Sequence, residues 1–455
     1  MKRFLPPALV ALASAVTHLL YFGYPAQVVF DETYSGRFLG DISRGTFFFD
    51  VHPPLAKLIV YAFGLLTGAS YGADVGSIGD ALPHSLVLLR IVPLACGILL
   101  PLAVYGIARN IGLSRVAASL AGFAAAFESS LIVQSRFILF DSMLLIFGFG
   151  AILCWQEYRK RRAGKRLSGA GASFLAMSAI LAAGAFSVKW TGLAFPALIL
   201  LFEGREALRL PAGTAMKRVR DRVAAAARSI APFVAAFAVA GAAVYAGSFA
   251  AELALASGPG TGDQFVSRSF HQESFPAQLV DLNVAMYQEN AHGMSSHPYQ
   301  SPWWSWPLML RPIFYWVGSG AYIYLFGDPF TYWMSAAALL AVFGHCLSAK
   351  RRAQGADAER REAGIFIAIG FLANYAPFVL ITRPMFLYHY QAALVFGILA
   401  LAWAADLVPA RKKLAVAATI AAACLAGYIY WSPLIYGTHL DQAQLQARMW
   451  LPSWR

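Results

Sequence analysis

FDETYSGRFLGDISRGTFFFDVHPPL, residues 30–55, follows directly on the first apolar run of the chain. It carries an adjacent acid pair, Asp31-Glu32, and then Asp50 and His52-Pro53-Pro54. Carboxylates at the mouth of a membrane helix are costly to keep near lipid, so they are candidates for a site by default. The plainer reading is a pair of solvated loop acids or a helix cap, because a DE dipeptide alone has almost no specificity. What the rest of the chain places around the pair decides between the two.

The surroundings read as a membrane. The 455 residues are 59% hydrophobic and 13% charged, against about a quarter charged in a soluble chain. Mean hydropathy is +0.57. Apolar runs of roughly 18–22 residues, the length that crosses a bilayer, recur along the chain, and about eleven spans are expected. They lie at residues 5–24, 84–106, 115–133, 138–156, 171–187, 190–203, 229–250, 329–348, 364–381, 388–406 and 414–432. The stretch 190–203 is short for a full crossing. The expected fold class is an all-α polytopic membrane protein, one membrane-embedded unit over residues 1–455.

Lysine and arginine set the orientation, since positive residues stay on the cytoplasmic side. With the N-terminus inside, the clusters Arg159-Lys160-Arg161-Arg162, Lys217-Arg218, Lys350-Arg351-Arg352 and Arg411-Lys412-Lys413 all fall in cytoplasmic loops. The formal charge of +13 is then mainly a topology signal. A nucleic-acid partner is not expected, because the basic runs sit in short loops between spans. The opening Met1-Lys2-Arg3 and the apolar run after it also resemble a secretory signal, with Ala13-Ser14-Ala15 at a cleavage position. The polar loop that follows fits an uncleaved anchor. Cys96, Cys154, Cys346 and Cys424 lie inside or at the ends of spans and show no metal spacing.

Two loops on the outer side are long, 25–83 and 251–328. In the first, Tyr34, Phe38 and Ile42 recur every four residues, the pattern of an amphipathic helix lying in the interface. Pro53-Pro54 opens a second apolar helix running to about Thr67, with proline tolerated in its first turn. Polar residues gather near the outer ends of the spans: Asp31, Glu32, Asp50, His52, Arg136, Asp141, Lys189, Arg383, Tyr388, His389 and Tyr390. Each has a bland alternative. Arg136 and Asp141, in QSRFILFD, fit an ion pair that turns the chain. Lys189 can snorkel to the interface. Arg383 can bind a structural lipid phosphate. HPYQSPWWSWP, residues 297–307, is aromatic enough for an interfacial belt.

Together these residues suggest chemistry on an amphiphilic substrate. Cations would hold a lipid phosphate, and a carboxylate beside it would act as a base. His297, Tyr299, Trp303 and Trp304 would supply a wall that suits a sugar. An outer face offers no nucleotide sugar, so the donor must already be activated, as a lipid-linked sugar phosphate is.

The motifs DETYSGRF at 31–38, GTFFFDVHPPLAKL at 45–58, QSRFILFDSMLL at 134–145, SVKWTGL at 187–193, HPYQSPWWSWPLMLRPI at 297–313 and FLYHYQAAL at 386–394 resemble the protein O-mannosyltransferase family. They occur in family order and span most of the chain. The resemblance implies a GT-C fold of about eleven transmembrane helices with its site on the lumenal or periplasmic side. It implies a polyprenyl-phosphate-mannose donor, and Ser or Thr hydroxyls of exported proteins as acceptors. The product is inverted, so one carboxylate base suffices where a retaining hydrolase needs a second as nucleophile. Asp31 is the expected base, with Glu32 positioning it or the acceptor. Lys189 and Arg383 are expected to stabilise the leaving phosphate, and Arg136 to do so or to orient the site with Asp141. Asp50, Asp141, His52, His297, Tyr299, Trp303, Trp304, Tyr388 and His389 are the expected sugar and acceptor contacts. His52 equally fits a structural role in which HPP only fixes a turn. No cofactor or metal is expected, since fixed cations can replace a divalent ion.

One departure matters. Eukaryotic members carry a β-trefoil-like domain between the seventh and eighth spans, whereas here that loop is only residues 251–328. The chain resembles the short bacterial type, which places it in a bacterial inner membrane with a periplasmic site. Two other readings stand beside this one. An aminoarabinose transferase that modifies lipid A shares an acid pair and a PPL element, but its typical KPPL is HPPL here. A transporter of lipid-linked sugars would carry charge near the midplane, whereas the charges here cluster at one face.

Overall fold

The computed structural model describes residues 4–69, 71, 75–162, 169–208, 219–293, 296–348 and 355–455. Lys217, Arg218, Lys350, Arg351 and Arg352 lie outside the described residues. Helices form wherever apolar runs allow: α1 (Leu5–Leu19), α2 (Glu32–Arg44), α3 (Leu55–Thr67), α4 (His84–Asn110), α5 (Arg115–Phe127), α6 (Ser129–Ser135), α7 (Asp141–Arg162), α8 (Gly169–Val188) and α9 (Ala194–Leu208) in the first half. The second half holds α10 (Ala226–Leu255), α11 (Phe275–Gln288), α12 (Pro329–Ser348), α13 (Ala356–Tyr375), α14 (Gln391–Asp406), α15 (Ala410–Tyr436) and α16 (Gln442–Arg448).

Among the described residues, seven helices are long and apolar enough to cross a membrane, and an eighth span is formed if the bent pair α5–α6 counts as one. That pair meets at 55°. The break is at Glu128, whose carboxylate accepts the Leu131 N–H at 2.8 Å and the Ser130 hydroxyl at 2.6 Å and so starts α6 afresh. The other expected spans are helices that fall short of this measure. α1 and α9 have 15 residues each. α7 ends in Arg159, Lys160, Arg161 and Arg162, so its apolar part is shorter than the helix. The helices are where the apolar runs put them, but length and composition do not reach a count of eleven.

α14 is central, with 78% of its span buried, whereas α10 is 6% buried and faces outward. α1 is tied into the bundle by polar contacts at its C-terminal half. Ser14 donates to the Ile98 carbonyl at 2.9 Å, and the Tyr436 hydroxyl donates to the Thr17 carbonyl at 2.6 Å.

The two long loops form the helices α2, α3 and α11 and one departure from an all-helical chain. This is an antiparallel hairpin, β1 (Ile313–Gly318) and β2 (Ala321–Leu325). The expected stripe on α2 divides: Ile42 is buried with Phe48 and Ala256 and Phe38 packs on them, but Tyr34 is exposed. α2 ends at Gly45 in the left-handed region, φ 69°, a conformation that favours glycine. The loops interlock directly beyond it. Phe47 N–H donates to the Gly258 carbonyl at 2.7 Å, and Gly258 N–H to the Gly45 carbonyl at 2.8 Å. A Cβ at Gly260 would sit 2.0 Å from the Phe47 carbonyl oxygen, so only glycine allows this approach.

Candidate active site

Asp31 and Glu32 are neighbours in sequence with opposite environments. Asp31 precedes the first turn of α2, where the helix dipole favours negative charge. No hydrogen bond to its carboxylate is seen among the described residues, and the residue keeps partial exposure. Burial raises its carboxyl to about 7; Lys189 opposes the shift, and Asp141 and Asp50 add to it. A carboxyl with that value can take or give a proton near neutral pH.

Glu32 is 1% exposed. Its Oε1 accepts from Arg90 Nε at 2.8 Å and from the Ile138 N–H at 2.9 Å. Its Oε2 accepts from Arg90 Nη2 at 2.7 Å and from the Val29 N–H at 3.0 Å. A carboxylate has about four acceptor positions, and these four bonds fill them. Arg90 is equally complete. Its remaining donors go to the carbonyls of Gly23, Pro25 and Gln27. Glu32 therefore has no position left for an acceptor substrate, and of its two expected tasks only holding the base remains.

The segment that carries Asp31 is fixed from above by the hairpin. Phe30 has φ 49°, a conformation costly to a residue with a Cβ. Its N–H donates to the Tyr315 carbonyl at 3.2 Å, and its ring stacks on Tyr315 at 4.0 Å. Tyr315 sits at an irregularity between Phe314 and Trp316, the kind of bulge that re-aims a side chain. It is buried, and its hydroxyl donates to Gln134 Oε1 at 2.6 Å. Gln134 Nε2 donates to Asp141 Oδ2 at 2.6 Å, and Lys189 Nζ donates to Asp141 Oδ1 at 2.7 Å. A hydrogen-bonded chain thus runs from the Tyr315 hydroxyl through Gln134 and Asp141 to the ammonium of Lys189, and Tyr315 also holds the loop that carries Asp31.

Lys189 opens onto a cavity of about 810 Å³ whose lining also includes His52, Asp141, Arg383, Tyr388 and His389. Lys189 Nζ lies 5.2 Å from the centre of the Tyr388 ring. Burial, with the charges of Lys189, Lys57 and Arg383, holds the His52 imidazole well below its usual range. His52 is therefore neutral at pH 7. Asp31 is not itself among the lining side chains. The lining also includes the polar Asn290, Asn374 and Gln391 and the apolar Leu201, Leu380 and Ile381. Leu201 and Leu380 are exposed at the outer surface of the bundle. A second groove of about 890 Å³, along α11, shares Tyr287 and His292 with this cavity.

Several expected contacts lie elsewhere. Arg136 does not pair with Asp141 and does not reach the cavity lining. It is 3% exposed and donates to the carbonyls of Leu20, Tyr21 at 2.8 Å and Tyr24 at 3.4 Å, with its guanidinium over the Tyr436 ring at 4.7 Å. It closes the C-terminal end of α1, where helix carbonyls lack partners. Asp50 accepts from Lys57 Nζ at 2.5 Å and from the His52 N–H at 3.2 Å, so it shapes the turn before α3. The aromatic stretch turns away from the cavity. His297 is exposed and packs on Phe386. Tyr299 carries Arg311 over its face at 5.2 Å, Trp303 packs edge-on to Tyr375 at 5.5 Å, and Trp304 is 58% exposed. The structure thus brings Lys189, Asp141, His52, Arg383, Tyr388 and His389 together, with Asp31 at their edge.

Arg90, Gln134, Tyr315, Asn290 and Lys57 were not singled out by their sequence. Asn290 Nδ2 donates to the Val51 carbonyl at 2.9 Å and joins the second loop to the first at the cavity rim. Lysine in HPPLAK was visible as a charge in an apolar helix; the amides carry no such signal. Among the described residues no three His, Cys, Asp or Glu side chains group as a metal site requires.

The family model described as dolichyl-phosphate-mannose-protein mannosyltransferase matches residues 8–246, and that of the C-terminal four-transmembrane region of protein-O-mannosyltransferase matches residues 275–454. Dolichyl-phosphate-mannose–protein mannosyltransferase 1 of Saccharomyces cerevisiae is 33% identical over 42% of this chain, and protein O-mannosyltransferase 1 of Drosophila melanogaster is 35% identical over 31%. These matched segments cover 24% and 16% of the two relatives, so the chain spans a minor part of each. The S. cerevisiae Pmt1-Pmt2 protein O-mannosyltransferase complex bound to the sugar donor superposes with a TM-score of 0.91 at 20% identity, covering 100% of this chain and 93% of that one. ArnT from Cupriavidus metallidurans bound to undecaprenyl phosphate gives 0.57 at 13% identity, covering 94% and 76%.

Proposed function

Because the chain belongs to the protein O-mannosyltransferase family and has the GT-C membrane glycosyltransferase fold, we propose that it moves mannose from a polyprenyl phosphate to Ser or Thr hydroxyls of exported proteins. The observation that carries this reading is the juxtaposition at the cavity. Lys189 and Arg383 line it beside the apolar Leu201, Leu380 and Ile381, and Asp31, with its carboxyl at about 7, feels the charge of Lys189. A polyprenyl tail would lie against Leu201 and Leu380, with its phosphate at the two cations.

In this mechanism Asp31 accepts the proton of the acceptor hydroxyl as that oxygen attacks C1 of the sugar. The C1–O bond to phosphate breaks, and its electron pair leaves with the phosphate. Lys189, held in place by Asp141, and Arg383 stabilise the growing charge on the leaving oxygen. The phosphate is already a weak base, so no general acid is needed. Glu32 and Arg90 hold the first turn of α2 and with it Asp31. The fixed cations make a divalent metal unnecessary.

The basic clusters at Arg159 to Arg162 and at Arg411 to Lys413 lie at the opposite end of the helices from Asp31. This supports a cytoplasmic N-terminus and an extracytoplasmic site, which in a bacterial inner membrane is the periplasmic face. The test is purified protein in lipid nanodiscs with polyprenyl-phosphate-mannose and a Ser/Thr-rich peptide, read by mass spectrometry, with and without chelator. Mannosylated peptide in both arms is the expected result. Transfer only to a lipid acceptor would replace this reading with that of the aminoarabinose-transferase type. Activity lost in chelator and restored by Mg²⁺ or Mn²⁺ would overturn the metal-free mechanism.

A further inference from the structure

Gln391, the first residue of α14, lines the cavity and is 1% exposed. Its Nε2 donates to the Ser130 carbonyl at 2.9 Å. A carbonyl can only accept, so this contact fixes which end of the carboxamide carries the nitrogen. Oε1 then faces away from Ser130, buried, with no hydrogen-bond partner among the described residues. An acceptor buried without a donor is unfavourable. Such a group in the wall of a cavity can take a donor from a ligand that fills it. Asn374 on α13 lines the same cavity, with its Nδ2 donating to the Gly370 carbonyl at 2.9 Å.

The lining of this cavity offers two chemistries. Lys189 and Arg383 offer positive charge and N–H donors, and suit an anion. Gln391 and Asn374 offer acceptor oxygens. A phosphate ester ionised at pH 7 has no proton to donate, so it gains nothing from them. A sugar hydroxyl donates readily. We propose that Gln391 Oε1 is a sugar-recognition group that accepts a hydrogen bond from one hydroxyl of the donor's hexose, with Asn374 as its neighbour for a second. The proposal rests on the reading of the donor as a polyprenyl-phosphate sugar. It gives the donor a direction, with phosphate at Lys189 and Arg383 and hydroxyls toward the start of α14.

The test is binding, so that it does not depend on transfer. Wild-type protein and Gln391→Met, which keeps the length of the side chain without its acceptor, are titrated in nanodiscs with polyprenyl-phosphate-mannose and with bare polyprenyl phosphate. The variant should bind the mannosyl lipid roughly tenfold more weakly and the bare lipid as the wild type does. Equal weakening of both lipids, or of neither, overturns the proposal. The wild type is also titrated with mannosyl lipids lacking one hydroxyl each, which needs no variant that folds. One of these should bind roughly tenfold more weakly than the parent, and the variant should not distinguish it from the parent. If every deoxy lipid binds the wild type within about twofold, Gln391 serves only to join α14 to α6. Transfer to peptide is scored separately. Its absence refutes the proposed reaction, while the binding difference still decides the role of Gln391.

Discussion

Two sets of cations lie at this end of the molecule, and they do opposite things. Arg90 and Arg136 sit beneath the first loop, 0% and 3% exposed, with backbone carbonyls around them. Arg90 gives its five donors to Glu32 and to the carbonyls of Gly23, Pro25 and Gln27. Lys189 and Arg383 line the cavity. Lys189 meets a single carboxylate, Asp141, that is itself shared with Gln134. The same contrast divides the acids: Glu32 is saturated, whereas Asp31 has no hydrogen bond among the described residues. For the two acids, what separates them is how far the protein has already satisfied the carboxylate. Burial divides cations and acids the same way: Arg90, Arg136 and Glu32 are buried, whereas Lys189, Arg383 and Asp31 keep partial exposure.

The comparison breaks most sharply at the adjacent acids. Asp31→Asn should lower kcat by about 10²–10⁴-fold, the usual worth of a general base, with unchanged expression. A variant within about threefold of wild type would remove Asp31 from the mechanism. Glu32→Gln should show the reverse, a poorly folded protein whose surviving folded fraction keeps most of its turnover.

The next effect is on stability. Arg90→Met leaves the Glu32 carboxylate buried without its partner, which costs about 3–5 kcal/mol. Thermal unfolding in detergent should therefore shift strongly downward. The double variant Arg90→Met with Glu32→Met should recover part of the loss, since two apolar side chains leave no uncompensated charge. A double variant less stable than either single one would show that the pair itself stabilises the fold. Lys189→Met should act in the other direction. Turnover should fall roughly tenfold to hundredfold, with Arg383 still present, and donor affinity should fall less, because the charge on the leaving oxygen grows toward the transition state. Lower stability with unchanged turnover per folded molecule would move Lys189 into the architectural set.

This division was only partly visible in the chain. Spans were legible because an apolar run is a local signal. α2 and α3 were legible because Phe38, Ile42 and Pro53-Pro54 act within a few residues. The partner of Glu32 was not, because Arg90 lies 58 residues away and nothing nearby marks it. Arg136 and Asp141 are close in sequence, yet α7 begins at Asp141 and turns it toward Lys189, while Arg136 stays below with α1. The aromatic stretch at 297–307 misled for a related reason. Trp and Tyr suit a sugar, a membrane interface and a packed loop equally, and here Trp303 packs on Tyr375 and Tyr299 carries Arg311. Gln134 and Gln391 were silent, since an amide announces itself only through its partners.

The smallest expected effect, and the most direct probe of the unsaturated acid, is pH dependence. Asp31 must be ionised to accept a proton, and burial places its carboxyl at about 7. In the free enzyme, kcat/KM should thus climb about tenfold per pH unit below pH 7 and level off above it. The residual activity of Asp31→Asn should lack this limb. Stability carries the opposite sign. A carboxyl raised from 3.8 to about 7 on folding binds its proton more tightly in the folded state. Its contribution is fully present below about pH 4 and is lost as pH rises through 7. Wild type should therefore lose thermal stability relative to Asp31→Asn between pH 5 and pH 8, at the pH values where it gains activity. The two curves come from one carboxyl and must turn at the same pH. A kcat/KM that is flat from pH 5.5 to 8, or an unfolding difference that shrinks with rising pH, would place Asp31 with Glu32 among the groups the fold has already satisfied.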